Sequence, residues 1–414
     1  MSSANNNYTP VAVENSKEDV TKDKLWVSFW LFTGISTLFV WNSVMSLTAY
    51  WTTHIQEGIQ NTYGFYFMLG SLVGFFFFNP INKMMTYKTS SIVYPTIMTL
   101  IFVLNLIVGE FIESSQTKAI IFLIFCFTQG FINNMVQLNQ TRLMVGFDSK
   151  AGILYNAGTG IAGCGCSLLN FALSFTPMNP TFQFIIYLCV VIISLVAMIT
   201  ISVKWCNYYG VEEQDQISSG VNDENPTSLA SIRKKAAQQL GMANDDESMS
   251  QRWSALKNVY VGSGLMFWTY VVTLGVFPVL CFVTGTGLST VHNFSAVTLV
   301  YNIGDLLGKF GTFVVPITKD GGLFYIYGWT RGVILVFFFT LMVALKDNVF
   351  WGSAWLSILM ILLLGLTNGH FTTVNFGITP GRLGPDARFG ASCLVLSLLF
   401  GLVYGTLVDL LTMG

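Results

Sequence analysis

Residues 182–203 read FQFIIYLCVVIISLVAMITISV, with no charged side chain until Lys204 follows. A bilayer core of about 30 Å is crossed by about 20 helical residues, so this stretch alone is long and apolar enough to span one. Runs of the same kind are centred near Phe39, Gly74, Phe102, Phe127, Ala162, Val271, Asp305, Phe337, Leu362 and Leu399, which with the first make about 11 spans of bilayer length. None shows period-2 alternation, and backbone polar groups in lipid must be satisfied within a segment, so the spans are read as helices and not barrel strands. Composition agrees. The 414-residue chain is 53% hydrophobic and only 10% charged, with a formal net charge of -1 and a mean hydropathy of +0.60. A soluble domain carries about 25% charged residues, which excludes an ordinary globular enzyme.

The few charges set an orientation. All but four of the 20 Lys and Arg residues fall in alternate breaks between spans, among them Lys17, Lys22 and Lys24 before span 1, Lys83 and Lys88 after span 2, and Arg142 and Lys150 after span 4. Lys118 and Lys346 lie on the other side, and Lys309 and Arg331 lie inside helices. Positive residues collect on the cytosolic side, so the N-terminus is expected in the cytosol and the C-terminus outside, with an odd number of crossings. The polar first 25 or so residues carry Asn5, Asn6 and Asn7 and no charged region leading into a short apolar stretch, so no cleavable signal peptide is expected.

A polar stretch from about Cys206 to Ala255, rich in Asp, Glu, Ser, Asn and Lys, buries too little apolar surface to fold alone and is read as a cytosolic linker. The chain therefore divides into a tail (1–25), a six-helix bundle (26–205), the disordered linker (206–255) and a five-helix bundle (256–414). Six-plus-six bundles with a midplane site are the common plan of secondary transporters, and six plus five is that plan without its last helix. The seven cysteines fall in spans or beside their cytosolic ends, so disulfides are not expected. The three histidines, His54, His292 and His370, show no metal-ligand spacing, and no phosphate-binding loop is visible. Neither a metal nor a cofactor is expected, nor an enzyme or an ATP-driven pump.

An ionisable side chain at the centre of a span costs about 2.5–3.5 kcal/mol on insertion scales, so those that persist face a cavity or a partner. Span 8 holds two. At 100° per residue Thr298, Asn302, Asp305 and Lys309 share one stripe, and Asp305 and Lys309 at i and i+4 are placed to pair. Gly304 and Gly308 beside them leave a face that another helix can approach closely. Gln129, Asn133, Gln137 and Gln140 form a stripe in span 4, and Asn368, Thr372 and Asn375 repeat the idea in span 10. Neutral amides donate and accept, which suits a ligand with mixed edges better than a bare ion. In span 1 Leu38, Trp41 and Met45, with Asn42 beside them, offer a wall for a flat, partly aromatic solute. Each set also has a structural reading: an ion pair can lock helices, and amides can bridge them. The glycine pairs Gly70 with Gly74 and Gly401 with Gly405 are read as packing faces. Arg331, isolated in span 9, is expected to pair with an acid on a neighbouring helix or to snorkel to an interface.

Several of these residues together resemble the equilibrative nucleoside transporter family: Asn302-x-x-Asp305-x-x-Gly308-Lys309, Trp41-Asn42, Phe277-Pro278, the lone Arg331, Thr367-Asn368-Gly369, and Gln137 followed by Gly158-Thr159-Gly160-Ile161-Ala162-Gly163. The resemblance covers nearly the whole chain. It implies an all-α fold similar to the major facilitator plan, with a central cavity between spans 1–6 and 7–11. It also implies that Asp305 binds the nucleoside or holds the local network with Asn302 and Lys309, that Gln137 bonds the nucleobase, and that Leu38, Trp41, Met45 and Phe277 contact the ligand. Arg331, Asn42, Asn368, Asn133 and, on a looser match, Met68 are expected in the network or gate. This chain departs from the pattern at Lys309, where the family usually has Arg, at Val336, where it usually has Pro, and at Gly304 and His370. Loss of the guanidinium fork at Lys309 points to a shifted substrate preference.

The reading is facilitative transport of nucleosides, and of nucleobases beside them, by alternating access. Its alternative is proton-coupled symport of the same solutes, against which the pairing of Asp305 with Lys309 counts. The expected partners are a small nucleoside or nucleobase substrate and a lipid bilayer, with no nucleic acid, a monomeric state and a plasma-membrane location.

Overall fold

A computed structural model describes residues 23–59, 62–82, 84–145, 147, 149–210, 249–277, 290–314, 321–378 and 387–413. Most of the tail, the middle of the linker (211–248) and Pro278 lie outside the described residues. The helices are α1 (Lys24–Ser46), α2 (Thr48–His54), α3 (Tyr63–Asn82), α4 (Tyr87–Phe111), α5 (Ser115–Val145), α6 (Ser149–Ser174), α7 (Pro180–Gly210), α8 (Met249–Val276), α9 (Thr290–Gly311), α10 (Gly321–Ala344), α11 (Ala354–Ile378) and α12 (Ala387–Met413). One long helix falls on each of the apolar runs, and α2 is a short continuation of α1 past a break at Leu47. Helices α7 and α8 extend a little into the stretch read as linker.

Ten of the long helices are long and apolar enough to cross a membrane among the described residues, and α9 is the one outside that set. The side chains of α9 explain why it still belongs there. Ile303, Leu307 and Phe310 are exposed along one flank, while Asp305 and Lys309 are buried on the other, so lipid meets only the apolar flank. Many hydroxyls inside the helices are satisfied locally. Thr33, Thr37 and Ser43 of α1 donate to the carbonyls of Phe29, Thr33 and Phe39 at 2.7–2.8 Å, which keeps them from being orphaned in lipid.

Four parallel helix pairs form the frame, each made where a glycine lets one backbone approach another. In α1 with α6, a Cβ on Gly34 would strike the Tyr155 carbonyl and one on Gly158 that of Leu31. In α3 with α5 the same holds for Gly70 against Phe127 and Gly130 against Phe67; in α9 with α11, for Gly304 against Leu362 and Gly369 against Asp305; in α8 with α12, for Gly401 against Phe267. Helices α1–α7 pack as one bundle and α8–α12 as another. The bundles meet along two seams, α6 on α9 and α3 with α5 on α12. The second seam is apolar: Leu394, Val395, Leu398 and Leu399 of α12 join the core of the first bundle. The first is polar.

Candidate functional site

The polar seam is built on α9. Asp305 and Lys309 are each only 6% exposed, which in a membrane interior demands close partners. Lys309 Nζ lies 2.6 Å from Asp305 Oδ2. The other carboxylate oxygen, Oδ1, accepts from Asn368 Nδ2 of α11 at 2.9 Å, and Asn368 Oδ1 in turn accepts from Thr273 of α8 at 3.0 Å. Lys309 Nζ also donates across the seam to Thr159 Oγ1 of α6 at 2.9 Å. A single chain of hydrogen bonds thus runs from α8 through α11 and α9 into the first bundle. Buried pairs of this kind hold only when their remaining lone pairs and protons are satisfied, as both carboxylate oxygens are here. The approach is set by glycine: Gly365 and Gly369 of α11 lie against the backbone of Tyr301 and Asp305, bringing Asn368 within reach.

Beside Lys309 lies a small cavity of about 50 Å³. The first bundle lines it with Thr37 and Leu38 of α1, Gln137, Thr141 and Met144 of α5, and Tyr155, Asn156 and Thr159 of α6. The second contributes Tyr270, Lys309, Thr372, Phe376 and Leu398. These positions cluster near the ends of α5, α9 and α11 and the start of α6, so the cavity lies toward the face at which α1 begins. Most hydroxyls in it are already spent. Thr37 donates to Thr33 O and Thr141 to Gln137 O at 2.7 Å, Thr159 donates to Asn156 O at 2.7 Å, and Thr372 donates to the Tyr270 hydroxyl at 3.3 Å. Among the described residues the wall is therefore largely neutral, with aliphatic, aromatic and amide surface and one cation.

Of the residues singled out from the sequence, Leu38, Gln137, Lys309 and Thr372 line this cavity. Asp305 and Asn368 stand behind Lys309 as its support. Asn302 donates to Thr298 O at 3.0 Å and lies against Gly163 of α6, so it packs the seam. Trp41 stacks on Phe67 at 3.7 Å and meets Tyr63 edge-on, inside the first bundle. Met68 is buried and Met45 half-buried in the same core, and Asn42 is half-buried on α1. Asn133 is buried on α5 one turn from Gln137. Phe277 stacks on Tyr301 at 4.5 Å.

Arg331 requires a correction. It is only 4% exposed, so it does not snorkel, and among the described residues no acid forms an ion pair with it. Its Nε donates to Thr367 Oγ1 at 2.6 Å, its Nη2 to Leu364 O at 3.2 Å, and the guanidinium lies 5.8 Å from the Phe371 ring centroid. Backbone and ring electrons on α11 hold it where an acid was expected. Sequence reasoning did not single out Tyr155, Asn156, Tyr270, Phe376 or Leu398 as lining residues. Thr159 stood inside a glycine-rich run whose spacing is now explained: Gly158 faces α1, while Gly160 and Gly163 face α9.

The family model described as Nucleoside transporter matches residues 145–412. Similar curated proteins are an equilibrative nucleotide transporter 4 of Arabidopsis thaliana, 28% identical over 61% of this chain and 60% of the relative, and an equilibrative nucleoside transporter 4 of Danio rerio, 26% identical over 39% and 33%. The matched stretches thus span 60% or less of these relatives' lengths. Among solved structures, the major facilitator superfamily proton:xylose symporter aligns over 93% of this chain and 86% of its own with a TM-score of 0.58 at 14% identity. A bacterial homologue of the human lysosomal transporter Spinster aligns over 94% and 82% with a TM-score of 0.53 at 12% identity. The fold is that of the major facilitator superfamily.

Proposed function

The chain belongs to the nucleoside transporter family, and from that premise we propose that it carries nucleosides, with free nucleobases beside them, down their gradient across a membrane. The observation that carries this reading is the charge of the cavity. Among the described residues that line it, Lys309 is the one charged side chain, and Asp305 at 2.6 Å already neutralises it. An uncharged solute with a polar sugar and a flat, hydrogen-bonding base suits such a wall. A phosphorylated one, bringing about 1.5–2 negative charges at neutral pH, finds no unpaired cation among the described lining residues to meet it. The ligand is bound between bundles that rock around it, and Lys309, bonded to Asp305 within its own bundle and to Thr159 across the seam, senses the change.

The Lys and Arg distribution supports a cytosolic face where α1 begins, and with an odd number of crossings the end of α12 lies outside. The membrane is the plasma membrane. No covalent step is involved. Proteoliposomes containing only this protein are expected to show saturable adenosine entry that stops at equal concentrations on both sides. Inosine, uridine and free bases should compete, and adenosine monophosphate should not. Competition by the monophosphate as strong as that by adenosine would remove the charge argument, and absence of any flux would remove the carrier.

A further inference from the structure

Asn156 of α6 lines the cavity, and its amide is held in one orientation. Nδ2 donates to the Gly152 carbonyl one turn earlier at 2.8 Å. A carbonyl oxygen cannot donate, so the atom facing it must be the NH₂ and the amide cannot turn over without losing the bond. Among the described residues Oδ1 has no partner, at a residue only 5% exposed. Gln137, on the neighbouring α5, is different: among the described residues its side-chain amide has no partner at either atom, so it can present donor or acceptor. The first bundle therefore offers the ligand one fixed acceptor and one reversible amide, while the second offers the ammonium of Lys309, a donor.

We propose that Asn156 is a specificity-determining residue whose Oδ1 accepts a hydrogen bond from an N–H on the base of the bound solute, either an exocyclic amine or a protonated ring nitrogen. This rests on the nucleoside-carrier reading. Ribose hydroxyls both donate and accept, so a fixed acceptor discriminates little among them, and the sugar's oxygens suit the donor at Lys309. A base edge either carries an N–H or does not. One that lacks it leaves Oδ1 buried and unsatisfied, and the missing bond appears in affinity.

The test compares adenosine with purine riboside, which differs only in lacking the 6-amino group. In cells expressing the full chain, the wild type is expected to show a KM about tenfold higher for purine riboside. Asn156→Leu should bring the two KM values to within about twofold by raising that of adenosine, with the maximal rate per transporter held. Asn156→Ser should narrow the gap in the same way, because a serine hydroxyl keeps a bond to the carbonyl four residues back while withdrawing the acceptor from the cavity. Equal KM values in the wild type, or a gap that survives in both variants, overturns the assignment. So does a variant effect that appears only with 2′- or 3′-deoxyadenosine, which would put the acceptor on the sugar. A wild type that moves neither nucleoside overturns the carrier reading itself, and the assignment falls with it.

Discussion

Helices α3 with α5 and α9 with α11 use one packing device for two purposes. In both, parallel helices touch backbone to backbone at glycines, Gly70 and Gly130 in the first pair and Gly304, Gly308, Gly365 and Gly369 in the second. The first pair is joined by neutral groups: the Ser71 hydroxyl donates to Gly130 O at 3.0 Å, and the buried amides of Gln129, Asn133 and Asn134 lie on α5. The second pair encloses Asp305, Lys309 and Asn368 in one bonded group. Close helix contact therefore needs no charge, and the ion pair of the second bundle is not explained by packing. Its placement against the cavity is the remaining reason for its presence.

Four experiments press on this contrast. Asp305→Ala is expected to lower adenosine uptake in a transport-null host by more than about 100-fold, because removing one member of a buried pair leaves the other uncompensated at about 3–5 kcal/mol. Asp305→Asn is the volume-matched control, and normal uptake per molecule in the membrane by either variant would end the assigned role. Next, Gly369→Val would press on the Asp305 backbone and should cut uptake per molecule by about tenfold or more, an overpacking effect of about 1–3 kcal/mol at the site. Its counterpart Gly70→Val should reduce the amount of folded protein while leaving uptake per molecule unchanged. Similar behaviour of the two, measured as transport against membrane level, would erase the distinction between the pairs. Lys309→Arg keeps the charge but widens it into a fork, so uptake should stay within about threefold while the ranking of competing nucleosides changes. An unchanged ranking would show that the head group of residue 309 does not select. The smallest effect is expected from a protonophore. Both oxygens of Asp305 are engaged, so uptake should not respond, and a fall on its addition would favour the symport alternative.

Much of this arrangement is written in local patterns. Asp305 and Lys309 are four apart on a helix, so their pairing follows from periodicity alone, and the glycines at 304 and 308 announce a close neighbour. What periodicity lacks is the identity of the neighbour. Asn368 was visible as an intramembrane amide in span 10, but its bond to Asp305 depends on Gly365 and Gly369 drawing α11 against α9. Arg331 misled because a lone intramembrane cation suggests an acid, whereas Thr367 and the Leu364 carbonyl hold its Nε and Nη2. Trp41 looked like a cavity wall by type, yet the partner that claims it, Phe67, lies 26 residues further along on another helix. Asn156 and Tyr155 escaped notice because neither belongs to a stripe; each acts alone, and a single polar residue among small ones gives no pattern to detect.

The polarity of α9 also bears on how the molecule is made. A helix carrying an acid, a lysine and an asparagine partitions poorly into lipid by itself, and two of the groups that receive those side chains come from opposite directions in the chain. Thr159 of α6 is synthesised before α9, and Asn368 of α11 after it. While α10 is emerging, Lys309 can already find α6, but Asp305 still lacks its amide. Helix α9 is thus expected to be the weakest point of membrane insertion among the described helices, completed only when a later helix arrives. Substitutions that raise the hydropathy of α9 should ease biogenesis while spoiling transport, so yield and activity are set against each other at the same few residues.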